Sequence, residues 1–157
     1  MSEHPVLHLY TDGAARGNPG PAAAAWVVTD PATGEVLVEG KEAIGEATNN
    51  VAEYSGLLEA LRMAGSAGAR EVEILTDSEL IARQIEGKYR VKNPGLKPLF
   101  AEAMKLIAGF DSFSIRHVRR EENTEADRMV NRALNLAVGG AADVRLRESY
   151  ASEPAGG

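Results

Sequence analysis

Cysteine is missing from this 157-residue chain altogether, which excludes a disulfide scaffold and any thiolate metal site. Long apolar runs are missing too. No stretch approaches the roughly 20 residues that a helix needs to span a bilayer. The first residues, Met1-Ser2-Glu3-His4-Pro5, lack the basic and apolar regions of a secretory signal, so a soluble, cytoplasmic protein with no membrane partner is expected. No lysine occurs before Lys41, so the glycine-rich stretch at 13–20 cannot be a Walker-type phosphate loop, which ends in Gly-Lys-Ser/Thr. A dinucleotide loop opening a helix fits no better, because Trp26, Val27, Val28 and Thr29 favour a second strand. No internal repeat is evident.

What is present is an ordinary globular composition, 44% hydrophobic and 25% charged, on a chain long enough for one domain with its own core. The formal net charge of −6 argues against nucleic acid as a partner, but its distribution argues the other way. Arg83, Lys88, Arg90, Lys92 and Lys97 face a single acid, Glu86, and Arg116, Arg119 and Arg120 form a second cluster. Local basic patches of this kind suit a surface that tracks phosphates.

Residues 6–11 read as a strand that ends on Asp12, followed by a tight turn through Gly13 and Gly17-Asn18-Pro19-Gly20. Residues 22–29 and 35–41 give two more strands, and the three form an antiparallel meander. Asn49 and Asn50 are candidate caps for a helix in which Val51, Tyr54, Leu57, Leu58 and Leu61 recur at three and four. A fourth strand over 71–76 ends on Asp77, and helices are expected over 78–86 and about 96–108. A fifth strand over 112–118 and a last helix over about 123–137 complete the domain, 1–138. Residues 139–157 lose periodicity and are expected to be a flexible tail. Strands joined through helices tend to be parallel, so the expectation is an α/β fold with a five-stranded mixed sheet, strands 1–3 antiparallel and strands 4 and 5 parallel, flanked by helices.

Four carboxylates stand out. Asp12 and Asp77 end strands whose carboxyl ends open on one edge of such a sheet, where ligands bind in open α/β folds. Glu53 lies in the first turn of the first long helix and Asp127 in the first turn or so of the last. Singly, each suits a turn, a cap or a helix dipole. Jointly, clustered carboxylates repel unless a cation lies between them. An all-oxygen cluster suits Mg²⁺ or Mn²⁺ rather than Zn²⁺. Four acids balance two such ions in charge, and two ions about 4 Å apart is an arrangement that hydrolyses phosphodiesters.

Thr11-Asp12-Gly13 with Gly17-Asn18-Pro19-Gly20-Pro21, Thr48-Asn49-Asn50-x-x-Glu53, Thr76-Asp77-Ser78 and Asn123-x-x-Ala126-Asp127 together resemble the type 1 ribonuclease H family. The resemblance runs from about residue 6 to 137, in order and in register. It implies the ribonuclease H-like fold, with Asp12, Glu53, Asp77 and Asp127 as catalytic metal ligands. One ion is expected on Asp12 and Asp127, the other on Asp12, Glu53 and Asp77. It further implies an endoribonuclease that cuts the RNA strand of an RNA–DNA hybrid, leaving a 5′-phosphate and a 3′-hydroxyl. By motif position, Gly13, Asn18, Asn49, Asn50 and Ser78 approach the minor groove and sugars, and Thr48 a phosphate of the DNA strand. A monomer is expected.

The chain departs from many relatives in three ways. The loop 118–123 is too short for the family's loop histidine; His117 is read as structural, on one face with Phe113 and Ile115. Arg120 is the candidate for that loop's role, with a surface phosphate contact as the other reading. The basic handle helix is absent, which places the chain in a short-loop, handle-less subgroup. Glu79 stands where many relatives carry a neutral amide. Such relatives include enzymes that also cut double-stranded RNA and others fused to a phosphatase domain. A catalytically weak hybrid-binding module is the reading from another class.

Overall fold

The structure is a computed structural model and describes residues 4–135 and 142–146. Its strands are β1 (Val6–Ala15), β2 (Gly20–Asp30), β3 (Glu35–Ala47), β4 (Glu71–Thr76), β5 (Ser112–His117) and β6 (Ala142–Leu146). Its helices are α1 (Asn49–Ser66), α2 (Glu79–Ile85), α3 (Lys97–Ile107) and α4 (Thr124–Asn135). The strands form one sheet in the order β5-β4-β1-β2-β3-β6. β1 pairs parallel with β4, and β4 with β5; β1–β2 and β2–β3 are antiparallel. This is the α/β mixed sheet expected, with its five strands in the expected senses.

The sheet differs from expectation at its margins. β6 adds a sixth strand, antiparallel to β3, inside the segment 139–157 read as a tail. The rest of that segment lies outside the described residues, as do residues 136–138 at the end of the expected domain. β1 does not stop at Asp12 but runs three residues further, because β2 continues to pair with it as far as Ala15↔Ala22. Its other neighbour, β4, stops pairing at Thr11↔Thr76. Asp12 therefore sits where β1 is still held on one side and free on the other.

Alternation of apolar residues decides which face of each strand is buried. Leu7 and Leu9 of β1, Val72 and Ile74 of β4 and Trp26 of β2 pack with Tyr54, Leu57 and Leu61 of α1 and with Ile81, Ile85 and Ile107 of α2 and α3. On the other face, Ala25 and Val27 pack with Met129 and Val130 of α4, beside Tyr10 and Val36. No described helix is long and apolar enough to cross a membrane.

Two glycines let α1 approach β1 more closely than side chains permit. A Cβ at Gly13 would lie 2.2 Å from the Ala52 carbonyl carbon, and one at Gly56 would lie 2.8 Å from the Asp12 carbonyl oxygen and 2.9 Å from that of Ala25. Neither obstacle is a side chain that can swing aside. We predict that Gly56→Ala costs about 1–3 kcal/mol through overpacking. A urea titration should show a midpoint lower by about 1 M; an unchanged midpoint would show that the helix sits more loosely than described.

Candidate active site

The close approach of α1 brings three acids together. Asp12 and Asp77 follow the last paired row of β1 and β4, so the sheet itself sets them side by side. Glu53 is not in the first turn of α1, as expected, but just beyond it, facing Gly13 across the contact that glycine makes possible. The backbone N–H of Gly13 donates to Asp12 Oδ1 at 2.8 Å and to Glu53 Oε1 at 3.2 Å. Asp12, Glu53 and Asp77 each offer one carboxylate oxygen, and the three oxygens lie within 4.8 Å of one another.

Such a cluster is electrostatically costly. Two unit charges 4 Å apart repel by about 4 kcal/mol at an effective dielectric constant of 20, a sizeable share of the roughly 5–15 kcal/mol that stabilises a domain. Without a cation, protons relieve the strain. Burial, and then the charge of Asp77, push the Asp12 pKa up to about 7, against the opposing pull of the Gly13 N–H and Glu53. Burial, and then Asp12 and Asp77, hold Glu53 well above the usual range. Asp77 is raised mainly by burial, with the Arg120 guanidinium acting in the opposite sense.

Two buried oxygens at this cluster, Glu53 Oε2 and Asp77 Oδ2, accept no hydrogen bond, although Asp77 Oδ2 is ion-paired with Arg120. Hard oxygen donors that are buried, clustered and without hydrogen bonds fit a divalent cation. Asp127 is half-buried and stands outside the 4.8 Å group, yet close enough for its charge to raise Asp12 and Asp77.

The other candidates ring this cluster. Thr48, not Asn49 or Asn50, caps α1: its hydroxyl accepts the Val51 N–H at 3.2 Å. A threonine directly before two asparagines offers the backbone a cap one residue earlier, which moves both asparagines into the helix. There Asn49 Oδ1 accepts the Ala15 N–H at 2.7 Å, and the Asn49 N–H donates to Asn18 Oδ1 at 3.1 Å. These bonds stitch the end of β1, the β1–β2 turn and α1 into one rim, leaving each amide NH₂ to donate elsewhere. Asn50 is half-buried in the first turn of α1, and Ser78 caps α2 through the Ile81 N–H at 3.2 Å.

His117 is at the rim rather than in the core. It is exposed and its Nε2 donates to the Asp77 carbonyl oxygen at 3.2 Å, because only Ile115 of β5 turns into the packed interior. Arg120 Nε lies 3.5 Å from Asp77 Oδ2, and the arginine side chain is 76% exposed. Asn123 has a role that spacing alone does not reveal. Almost wholly buried, it donates from Nδ2 to the Thr11 carbonyl oxygen at 2.9 Å, and its own carbonyl accepts the Asp127 N–H at 3.0 Å. It thus ties the start of α4 to β1 next to Asp12. An asparagine just ahead of the last helix, in the motif that carries Asp127, is the signal that would have found it. A cavity of about 190 Å³, whose lining includes Tyr10, Val27, Val36 and Asn123, contains none of the clustered acids.

A family model described as reverse transcriptase-like matches residues 10–133. Ribonuclease HI of Halobacterium salinarum is 44% identical over 131 residues, which are 83% of this chain and 65% of that protein. The crystal structure of RNase H1 from the same archaeon matches with a TM-score of 0.81 at 43% identity, covering 84% of this chain and 99% of that one. The chain belongs to the type 1 ribonuclease H family. A bifunctional protein of Mycobacterium tuberculosis is 45% identical over 134 residues, 85% of this chain but 37% of its own length. A further family member, LC11-RNase H1, solved in complex with an RNA/DNA hybrid, matches with a TM-score of 0.77 at 44% identity, covering 82% of this chain and 96% of that one. The chain thus spans about two thirds or less of the length of these two curated relatives.

The raised carboxyls have a consequence for stability. Asp12 titrates near 3.8 in the unfolded chain and near 7 in the folded one, so between these values the folded state binds more protons. Stability attributable to Asp12 therefore falls as pH rises through that window. In chelator, Asp12→Asn should be more stable than the parent at pH 7.5, and the gain should shrink as the pH is lowered towards 4. Thermal melts across that range check this; a gain independent of pH would contradict the raised carboxyl.

Proposed function

We propose that this chain is a divalent-metal-dependent ribonuclease H that hydrolyses the RNA strand of an RNA–DNA hybrid, leaving a 5′-phosphate and a 3′-hydroxyl. The observation that carries the reading is the convergence of carboxylate oxygens of Asp12, Glu53 and Asp77 within 4.8 Å, with buried oxygens that accept no hydrogen bond. Family membership and a relative solved with an RNA/DNA hybrid support the choice of substrate.

Asp12, Glu53 and Asp77 would hold Mg²⁺ or Mn²⁺, and Asp127 would complete the donor set for a second ion. Bound there, the ions supply a lowered pKa for the attacking water and stabilisation of the departing 3′ oxygen. The chain's own groups do the rest. Gly13 fixes two carboxylates through one N–H, so the donor set is oriented before substrate arrives. Asn123 holds the start of α4, and with it Asp127, against β1. The NH₂ groups of Asn18 and Asn49, with Asn50 and Ser78, suit 2′-hydroxyls in a wide, shallow minor groove, which RNA alone presents. Thr48 keeps a hydroxyl proton to donate to a phosphate, and Arg120, paired with Asp77 but largely exposed, is within reach of the rim where a phosphate would lie.

The test is a gel assay of one labelled RNA strand, paired in turn with DNA, with RNA and with nothing. Internal cuts in the hybrid with Mg²⁺ or Mn²⁺ and none in chelator are expected. Asp77→Asn should fold as the parent does and cut at background level. Full activity of Asp77→Asn would overturn the ligand assignment, and hybrid bound but uncut in every lane would favour the binding-module reading.

A further inference from the structure

The acids converge against their own repulsion, so something neutral must hold their carriers in place. Gly13 and Gly56 fix α1 against β1, which sets Glu53 relative to Asp12. They do not fix α1 sideways, towards the β4–α2 unit that carries Asp77. The helices α1 and α2 come close at few residues. Among the described residues, one side-chain hydrogen bond joins α1 to that unit. The Tyr54 hydroxyl donates to Gln84 Oε1 at 2.6 Å. Both residues are buried, Tyr54 at 0% and Gln84 at 4% exposure. Tyr54 directly follows Glu53, and Gln84 sits on the helix whose cap, Ser78, directly follows Asp77.

We propose that Tyr54 and Gln84 are positioning residues that clamp α1 to α2, and so set the distance from Glu53 to Asp77 at which the two carboxylates share a cation. The proposal rests on the metal site put forward above. Its physical basis is that a hydrogen bond in a dry interior is directional and costly to break, whereas the apolar contacts around it tolerate sliding. The phenol ring also fills core volume, so Tyr54→Phe removes the clamp and leaves the packing intact.

Equilibrium Mn²⁺ titration without nucleic acid tests this directly. Tyr54→Phe should weaken Mn²⁺ binding about ten-fold, the scale typical of outer partners of metal ligands. On hybrid it should lower kcat while leaving KM within about two-fold, an order-of-magnitude expectation for a residue that touches no substrate. The double variant Tyr54→Phe/Gln84→Leu leaves no orphaned amide, so it should recover stability without recovering affinity. Ile107→Val, a core truncation on α3, should lower stability and leave Mn²⁺ binding unchanged. Parental affinity in Tyr54→Phe or in the double variant would overturn the clamp while leaving the site standing. A parent that binds no Mn²⁺ would overturn both.

Discussion

The whole arrangement depends on a repulsion held in check. Asp12, Glu53 and Asp77 lie close enough that full ionisation would cost on the order of several kcal/mol, and burial makes that cost larger than it would be on the surface. Nothing in the acids themselves favours this cluster. It exists because neutral parts of the chain leave no alternative: paired strands that deliver two carboxylates side by side, and a helix pressed onto β1 through Gly13 and Gly56 that delivers the third. The cost of folding without a cation is then a measure of how strongly the fold selects one.

The sheet's change of direction at β1 makes the opening. On one side β4 runs parallel and stops at Thr76; on the other β2 runs antiparallel and continues to Ala22. Asp12 is therefore held rigidly, being mid-strand, and is buried, yet it lies past the end of its parallel neighbour. A carboxylate on a loop would lack that rigidity. Asn123, reaching from the start of α4 to the Thr11 carbonyl, closes the far side of the same opening.

The order of elements and the acids were legible in the sequence because each leaves a local mark: alternation in β1, three-and-four spacing in α1, a carboxylate at the end of an apolar run. Contacts between distant elements leave none. Ala22 to Ala25 favour a helix by intrinsic propensity, yet they lie in β2, within the strand read over 22–29, because Trp26 to Thr29 carry the strand signal and pairing with β1 and β3 extends it. His117 reads as structural because it shares a strand face with Phe113 and Ile115, but β5 is an edge strand and of the three only Ile115 is covered. Thr48 took the cap from its neighbours, and the strand Ala142–Leu146 emerged where periodicity was too short to register. The shared N–H of Gly13 and the bond between Tyr54 and Gln84 are properties of the packed chain alone.

The central claim is that the three converging acids form one cation site. Backbone amide spectra of the folded chain recorded with substoichiometric Mn²⁺ test it most directly, since the paramagnetic ion erases signals only from nearby nuclei. The account predicts that Gly13 fades first, together with Asp12, Glu53 and Asp77, while the rest of the spectrum persists. Loss scattered over exposed acids such as Glu121 and Glu125, with Gly13 unaffected, would contradict it.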